Sequence, residues 1–362
     1  MNIEDRYISY AEVSGGFTVE HDDYGLVAYL TETRKKALFS NPNLTDYSQA
    51  LLNLKLVDGV VAARSMSFLT KIKVGEEIQT ALSGSTLDVP EEYRHLGLGA
   101  DLMFHYAKET QYDYNLSSGI SEIALPLYKV LKFKILEFPR MMFLCNARPI
   151  IESKGVHGIL LSMVAGIANI LLRLFRTILK QRSVRSHKKF DVRKETVVPE
   201  WVDEMVLNDG HKYTEVHDHL WLQWNLDYNF KDDKEDIQSF YSVYYDNKPV
   251  GFFMTKERFR QEASNLKKII LGAVVEWGVA RDCDLLDESL LYKMAFSTFS
   301  PKTDIIELAT DNENVCKKMK KWGFIKHGFA HIAFKDRHKN CADAKDINLW
   351  RVRYGYADVI LT

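Results

Sequence analysis

The same order of secondary structure is predicted twice along this chain, and this repeat restricts its fold more than any other feature. The strand-like runs of the first half are 49–57, 60–70 and 77–89, and those of the second half are 239–245, 250–255 and 267–280. In each half the third run is followed by a helical pattern, at 98–107 and at 288–299. Further alternation follows in the second half, with a strand-like run at 304–309 and a helical run at 312–322. We therefore expect an α+β fold, a mixed sheet flanked by helices, that arose by structural duplication.

The length of the chain suits two domains joined by a linker. Its 362 residues exceed one domain of ordinary size. We predict a first domain at 1–150, a linker at 151–196 and a second domain at 197–362. With 46% hydrophobic and 27% charged residues, both domains are expected to fold as globular units. The net charge of -1 gives no general basic field, so no nucleic-acid partner is expected.

Cysteine usage and the N-terminal residues bear on the compartment. The four cysteines (145, 283, 316 and 341) are widely separated, without a C-x-x-C pair or histidines at metal-ligand spacing. This argues against a disulfide framework and against a bound metal. Residues 1–6 lack the basic and apolar regions of a secretory signal. We expect a cytoplasmic protein.

The linker contains an apolar run, 158–172, followed by a basic run, 173–194. The apolar run is shorter than the roughly 20 residues of a membrane span. It is interpreted as a buried interdomain helix with a solvated basic tail. An interfacial helix on an anionic membrane is the alternative, which gives peripheral membrane contact through 158–194, and a true span is a third reading.

A glycine-rich turn lies where the third strand-like run meets the helical pattern. Arg94-x-x-Gly97-x-Gly99 follows Val89 and leads into the helix. Unpaired N–H groups and the positive end of the helix dipole make such a position an anion site. The glycines let a phosphate approach the backbone, and Arg94 adds a charged donor. A plain strand-to-helix turn is the alternative.

This segment resembles the pyrophosphate-binding motif Q/R-x-x-G-x-G/A of the GCN5-related N-acetyltransferase superfamily. The resemblance implies a co-substrate, acetyl-CoA or another acyl-CoA, and no metal. It also implies that the pyrophosphate lies over the loop and that a backbone N–H of the preceding strand polarises the thioester carbonyl. The residues that it assigns to coenzyme A are Val89, Arg94, His95, Leu96, Gly97, Leu98, Gly99 and Ala100, together with Ser121 from the next motif.

That next motif, about thirty residues on, is N-x-x-A-x-x-x-Y-x-x-x-G-F in the family. Segment 121–133 keeps Ala124, Tyr128 and Phe133 but has Ser121 for asparagine and Lys132 for glycine. Tyr128 then matches the family's general acid, which protonates the departing thiolate, a role that suits a phenol. A half-buried tyrosine on a packing face is the alternative.

The base that accepts the proton of the amine is less defined. In the family it is often a glutamate on the strand before the loop, or a water molecule held there. The candidates are Glu77 at the start of the strand and Asp88 at its end. Each is more readily explained as a solvated charge at a strand end than as a base.

The second half shows the same family pattern, but it departs from the motifs at different positions. Segment 312–324 restores the asparagine and the Gly-Phe pair, but Met319 replaces the tyrosine. After the strand ending at Ala280 there is no glycine-rich turn, and Asp282 and Asp284 would repel a pyrophosphate. The resemblance therefore implies a tandem arrangement in which the first half holds the donor and the second half is degenerate.

The leading interpretation is an N-acyltransferase that moves an acetyl or other acyl group to an amine on a small molecule, amino sugar or peptide. A non-catalytic acyl-CoA-binding scaffold and an aminoacyl-tRNA-dependent cell-envelope transferase of related fold are the alternatives. His211, His217 and His219, near Trp221 and Trp224, are interpreted as a solvated loop beside a core helix, or as the lining of an acceptor cleft. The tail 350–358 is expected to be a final strand. The oligomeric state is left open.

Overall fold

The computed structural model describes residues 1–108, 110–228, 236–263 and 265–355. The strands are β1 (Ile3–Ser9), β2 (Ala50–Val57), β3 (Val60–Val74), β4 (Glu77–Asp88), β5 (Tyr114–Ser118), β6 (Lys134–Leu144), β7 (Asp191–Glu195), β8 (Tyr213–Glu215), β9 (Ile237–Tyr245), β10 (Lys248–Ala263), β11 (Leu266–Val279), β12 (Ile305–Ala309) and β13 (Ile325–Asp336). The α-helices are α1 (Tyr10–Ser14), α2 (Glu32–Phe39), α3 (Leu98–Lys108), α4 (Leu125–Val130), α5 (Arg148–Ser153), α6 (Gly158–Ser186), α7 (Val202–Leu207), α8 (His219–Asp227), α9 (Glu288–Thr298) and α10 (Glu313–Lys321).

All of these strands belong to one mixed sheet flanked by helices, which confirms the predicted fold class. Its order is β1-β2-β3-β4-β5-β13-β6-β12-β11-β10-β9-β7, and β8 pairs with β3 outside this path. The pairs β4–β5 and β11–β12 are parallel, and each is joined by a crossover helix, α3 or α9. The other pairs in the path are antiparallel.

The two halves of the chain meet at the centre of this sheet by exchanging strands. β13 of the second half lies between β5 and β6 of the first, and β6 lies between β13 and β12. Residues 325–334 of β13 pair with residues 134–142 of β6. Backbone hydrogen bonds cross the boundary in the β5–β13, β13–β6 and β6–β12 ladders and also where β8 pairs with β3, so separating the halves would break four ladders. The division into domains at 1–150 and 197–362 stays a prediction from the sequence.

The local predictions of the first half are confirmed. β2 and β3 are joined at Asp58 and Gly59, whose φ angles of 48° and 90° are those of a tight hairpin turn. The predicted apolar face of α3 is buried throughout: Leu98, Leu102, Met103, Tyr106 and Ala107. α3 therefore packs on the sheet by the face that the periodicity indicates.

Helices α4 and α10 end in the same way, although their sequences differ. The N–H of Phe133 donates to Tyr128 O at 3.0 Å, and the N–H of Phe324 donates to Met319 O at 3.1 Å. This is the Schellman motif, whose C′ residue has positive φ. Gly323 has φ 86° there, and Lys132 has φ 62°. Lys132 thus takes the conformation that glycine takes in the second half.

Helix α6 is far less buried than the sequence predicts. One helix in the described residues, α6, is long and apolar enough to cross a membrane by length and composition, and only 11% of its apolar window is buried. The interpretation of a buried interdomain helix is therefore wrong. Its buried residues form a narrow stripe along one side: Leu161, Ala165, Arg176, Leu179 and Ser183.

Candidate active site

Strands β4 and β5 lie side by side at only two positions and then diverge. The paired residues are Leu82 with Asn115 and Ser83 with Leu116. The phenol of Tyr106, from α3, lies at the point of divergence and contacts the carbonyl oxygens of Leu82, at 3.1 Å, and Leu116. Burial raises the pKa of Tyr106, so the phenol stays protonated as a donor. Tyr106 therefore holds open the narrow end of a wedge-shaped cleft.

Glycine is required at position 84, just beyond the pairing. Gly84 donates its N–H to the oxygen of Tyr106 at 3.0 Å. A Cβ at this position would lie 2.8 Å from Cζ of Tyr106 and 3.0 Å from Oγ of Ser117. A glycine inside a strand is a recognised signal of close approach, and it could have directed attention to this site from the sequence.

A β-bulge follows Gly84 on the same strand. Met66 pairs with Ser85 and Arg64 pairs with Asp88, so Thr86 and Leu87 together oppose Ser65. Thr86 has φ 47°, a strained conformation for a β-branched residue. A bulge takes one residue out of the backbone ladder. Such a residue can direct its N–H to a ligand, and Oγ1 of Thr86 has no hydrogen-bond partner among the described residues.

The glycine-rich turn predicted between β4 and α3 is present, and it includes a 3-10 turn that was not expected. A 3-10 turn, Glu91–Leu96, lies between β4 and α3, and Gly97 follows it with φ 73°. Leu98 and Gly99 are the first residues of α3, so their N–H groups have no acceptor within the helix. Of the flanking residues, Arg94 and His95 are exposed and Leu96 is half-buried.

Two hydrogen bonds fix this turn. Nε of Arg94 donates to Val89 O at 3.1 Å, which holds the guanidinium beside the turn. Ala100 donates its N–H to Gly97 O at 3.0 Å and so belongs to the first helical turn. Gly99 lies against the strand end, where an added Cβ would be 3.2 Å from Cγ2 of Val89.

The cleft contains a cavity of about 220 Å³ between these elements. It is lined by β3, β4, α3, the segment after β5 and α4: Ser65, Met66, Gly84, Ser85, Thr86, Leu87, Met103, Tyr106, Ser118, Gly119, Ile120, Ser121, Ala124 and Tyr128. Tyr128 is 8% exposed and packs edge-on against Phe133 at 5.0 Å. Oγ of Ser121 accepts the N–H of Ala124 at 3.3 Å. Tyr128 and Ser121 are thus both in the cleft.

The two carboxylates considered as bases do not line this cavity. Glu77 is exposed at the opposite end of β4, about 25 Å from the bulge at the usual rise per residue. Asp88 lies near the turn, but its Oδ2 is 3.5 Å from Arg64, whose pKa is lowered by burial. None of the lining residues is an aspartate, glutamate or histidine. In the described part of the chain no group of three His, Cys, Asp or Glu residues is placed to hold a metal.

In the second half, the gap between β11 and β12 corresponds to the cleft, and it is filled by Tyr354 and Gly355. β11 and β12 pair over three positions and then diverge. Gly355 donates its N–H to Val275 O at 2.8 Å, and the Tyr354 hydroxyl donates to Glu307 at 2.7 Å. The described part of the tail, 350–355, makes one β-bridge at Trp350 and forms no strand, so the expectation of a final strand is wrong there.

The start of helix α9 also differs from that of α3. Asp287 caps it by accepting the N–H of Leu290 at 2.8 Å, and Asp287 pairs with Lys318 at 2.6 Å. A carboxylate of the protein thus occupies the position at which α3 presents unpaired N–H groups.

A buried cluster of charges in the second half was not expected from the sequence. His217 is fully buried, with Nδ1 2.5 Å from Glu276 and Nε2 3.3 Å from Glu215. Burial alone would lower the pKa of His217, but the two glutamates raise it to about 9. Glu276 also pairs with Arg351 at 2.6 Å. The interpretation of a solvated loop is wrong for His217, whereas the tryptophans of α8 lie in the core as expected.

Comparisons with known proteins show the fold. No family model matches the chain, and no curated protein matches it in sequence. A GCN5-related N-acetyltransferase from Anabaena variabilis is similar in structure, with a TM-score of 0.54 and 8% identity over 93% of this chain and 73% of that one. Saccharomyces cerevisiae N-myristoyltransferase with bound myristoyl-CoA gives a TM-score of 0.58 and 11% identity over 92% and 79%.

A protein of unknown function from Enterococcus faecalis, described as a probable N-acyltransferase, has a TM-score of 0.52 and 11% identity over 93% and 73%. The chain therefore has the fold shared by GCN5-related N-acetyltransferases and N-myristoyltransferases, as the motifs predict.

Proposed function

We propose that this protein is an N-acyltransferase that takes its acyl group from acyl-CoA bound in the first half. The observation that carries the proposal is the cleft between β4 and β5, which runs from the Tyr106 contact to the Gly97 turn. The similar structures support it, because they include N-acyltransferases and one has myristoyl-CoA bound.

The donor would bind along this cleft in an extended form. The N–H groups of Leu98 and Gly99 and the guanidinium of Arg94 are the donors for the pyrophosphate. The pantetheine arm occupies the cavity between β4 and α4, near Ser121. The thioester then lies at the bulge, where a backbone N–H released from the ladder polarises its carbonyl.

The chemistry requires one proton to leave the amine and one to reach the sulfur. The neutral amine attacks the thioester carbonyl carbon, and the C–S bond breaks as the amide forms. Tyr128 donates its phenolic proton to the departing thiolate. The ammonium proton formed by the attack leaves to solvent, and the Tyr128 phenolate takes a proton back from solvent, so the step balances without a carboxylate in the cavity. Asp88 and Glu77 have no direct part in this scheme.

The acyl group is acetyl or longer, and the acceptor is an amine on a small molecule, amino sugar or peptide. The second half contributes no donor site in this proposal, because residues 350–355 fill its gap and Asp287 caps α9. It supplies β13, which lies next to β5.

Calorimetric titration with acetyl-CoA and with myristoyl-CoA tests the donor site. Gly97→Glu places a carboxylate where the pyrophosphate is expected, and nothing lies within 4 Å of an added Cβ there. Gly75→Glu is the matched control, since Gly75 has φ 65°, equally open space and a place at the far end of β4. We expect Gly97→Glu to weaken binding at least tenfold and Gly75→Glu to bind like the wild type.

The proposal fails if the wild type binds neither acyl-CoA. It fails equally if both variants bind like the wild type, because the donor would then lie elsewhere.

A further inference from the structure

Helix α6 directs several polar side chains toward the protein while most of its large apolar side chains are exposed. Arg176 donates to Ser300 O at 2.8 Å, and Lys180 donates to Phe299 O at 2.8 Å. Ser183 donates to Lys293 O at 2.5 Å. Nearer the start of the helix, Oδ1 of Asn169 accepts the N–H of Ala147 at 2.7 Å. The side of the helix that faces its own fold is therefore held partly by hydrogen bonds from polar side chains and partly by buried apolar residues such as Leu179.

The outward side of α6 is apolar over its first twenty residues. Nine large apolar side chains between 159 and 178 are each more than 40% exposed: Ile159, Leu160, Met163, Val164, Ile167, Ile170, Leu171, Leu174 and Ile178. Surface helices of proteins in water place such residues inward. A continuous apolar surface of this kind marks a site of interaction.

The charge around this surface has one sign. Between residues 158 and 190 the chain has seven Lys and Arg residues and no Asp or Glu. Five of the seven are exposed, all from the second half of α6 or the turn after it: Arg173, Arg182, Arg185, Lys188 and Lys189. An apolar face bordered by cations is complementary to an anionic lipid surface. A second copy of this chain would instead bring further positive charge to the contact.

The contacts along α6 decide its orientation relative to a bilayer. Twenty residues of helix span about 30 Å, which equals the hydrocarbon thickness. However, α5 and α9 pack on α6: the residue before α5 bonds Asn169 in the middle of α6, and α9 with the residues after it bonds Arg176 and Ser183. A spanning orientation would place these helices and the charged Arg176 in hydrocarbon, at a high energetic cost. An orientation in the plane of the membrane has no such cost.

We propose that α6 is a membrane-docking helix that lies in the plane of an anionic phospholipid bilayer, with its apolar side in the lipid and the remaining fold above it. Docking uses no residue of the acyl-CoA cleft, so it stands or fails independently of the proposed activity.

Sedimentation with phosphatidylcholine vesicles, with and without phosphatidylserine, tests this proposal. We expect the full chain to bind the mixed vesicles and to bind pure phosphatidylcholine at least tenfold more weakly. Ile167→Glu with Leu174→Glu should reduce binding to the mixed vesicles at least tenfold. Both side chains are about 60% exposed, so folding is retained and thermal melting should show it. Ile78→Glu, at a 47% exposed position on β4, is the matched control and should bind like the wild type.

A second double variant distinguishes the contribution of charge to vesicle binding from that of apolar contact. Arg182→Glu with Arg185→Glu should lose the preference for phosphatidylserine, and added salt should weaken the wild type in the same way. The proposal is overturned if the wild type binds neither vesicle or if the double glutamate variant of the apolar side binds normally. Binding that resists alkaline carbonate extraction would contradict the in-plane orientation. A wild-type dimer that this variant makes monomeric, without vesicle binding, would assign the surface to a second copy.

Discussion

The phenol oxygen of Tyr106 lies 3.0 Å from the backbone nitrogen of Gly84 and accepts its hydrogen bond. These residues belong to α3 and β4, and their contact lies at the point where β4 leaves β5. Since the same phenol also contacts the carbonyl oxygens of Leu82 and Leu116, one side chain satisfies the backbone groups that the divergence exposes. The shape of the cleft therefore depends on Tyr106, whose ring can occupy this position only because Gly84 has no Cβ.

Gly84→Ala should close or distort the cleft, because the new Cβ would lie 2.8 Å from Cζ of Tyr106. We expect a loss of about 1–3 kcal/mol in the free energy of unfolding, together with weaker acyl-CoA binding. Urea denaturation and calorimetric titration measure the two effects. Gly166→Ala, inside α6 where nothing lies within 4 Å, is the control; it should leave binding unchanged and raise stability by up to about 1 kcal/mol, as alanine does in a helix. A fully stable Gly84→Ala protein with normal affinity would contradict this account of the cleft.

Tyr128→Phe should reduce turnover far more than donor affinity, since it removes only the proton that the thiolate receives. We expect kcat to fall roughly 100-fold, with the Kd for acyl-CoA changed by less than about threefold. Steady-state kinetics and titration provide the two values, and Tyr47→Phe, at an exposed tyrosine, is the control. Unchanged kcat would remove Tyr128 from the mechanism. A protein that binds acyl-CoA but turns over no amine would instead be a non-catalytic binder.

Stability should fall between neutral and alkaline pH because of His217. Its pKa is raised from 6.5 to about 9 by Glu215 and Glu276 against the effect of burial. The native state therefore holds its proton where the unfolded state has lost it. The stabilising contribution is complete below pH 6.5 and is lost as the pH rises through 9, with a slope of at most about 1.4 kcal/mol per pH unit.

Urea denaturation near pH 6.5 and near pH 9 measures this difference. His217→Gln should be less stable near pH 6.5 and should show a smaller decrease toward pH 9. His219→Gln, which changes a partly exposed histidine beside Asp203, is the control and should keep the wild-type decrease. Parallel pH dependence in the wild type and His217→Gln would assign the proton to another group.

Lys132→Gly should stabilise the protein, because Lys132 has φ 62° at the end of α4, in the Schellman position that Gly323 occupies after α10. A left-handed conformation costs a residue with a Cβ about 1 kcal/mol, so we expect a gain of roughly 0.5–1 kcal/mol. Lys129→Gly, inside α4, should instead destabilise by about 1 kcal/mol. Thermal melting of both variants is the measurement. Equal losses of stability in the two variants would show that the backbone of Lys132 is not strained.

Gly355→Ala should loosen the tail that fills the second gap, since its Cβ would lie 2.6 Å from Val275 O. We expect a destabilisation of about 1–3 kcal/mol, and Gly15→Ala, whose added Cβ makes only ordinary contacts, should have little effect. Acyl-CoA stoichiometry should stay at one per chain, because α9 is capped by Asp287. A stoichiometry of two would assign a hidden donor site to the second half.

Several features could be predicted from sequence because each depends on residues close together in the chain. Alternation and turn residues located β2, β3 and β4, the 3.6-residue period located the buried face of α3, and the glycine spacing located the Gly97 turn. Tyr128 could be found because its motif is also local. These patterns were sufficient for the fold class and for one end of the cleft.

The tertiary structure alone decided which distant residues meet. Gly84 and Tyr106, 22 residues apart, form the narrow end of the cleft, and His217 and Glu276, 59 residues apart, form the centre of the buried charges. The exchange of β6 and β13, and the outward direction of the apolar side of α6, are likewise properties of long-range packing. A local pattern states how a segment folds and which of its sides is apolar. What that side contacts depends on the pairing of segments far apart in sequence, and no local pattern encodes that pairing.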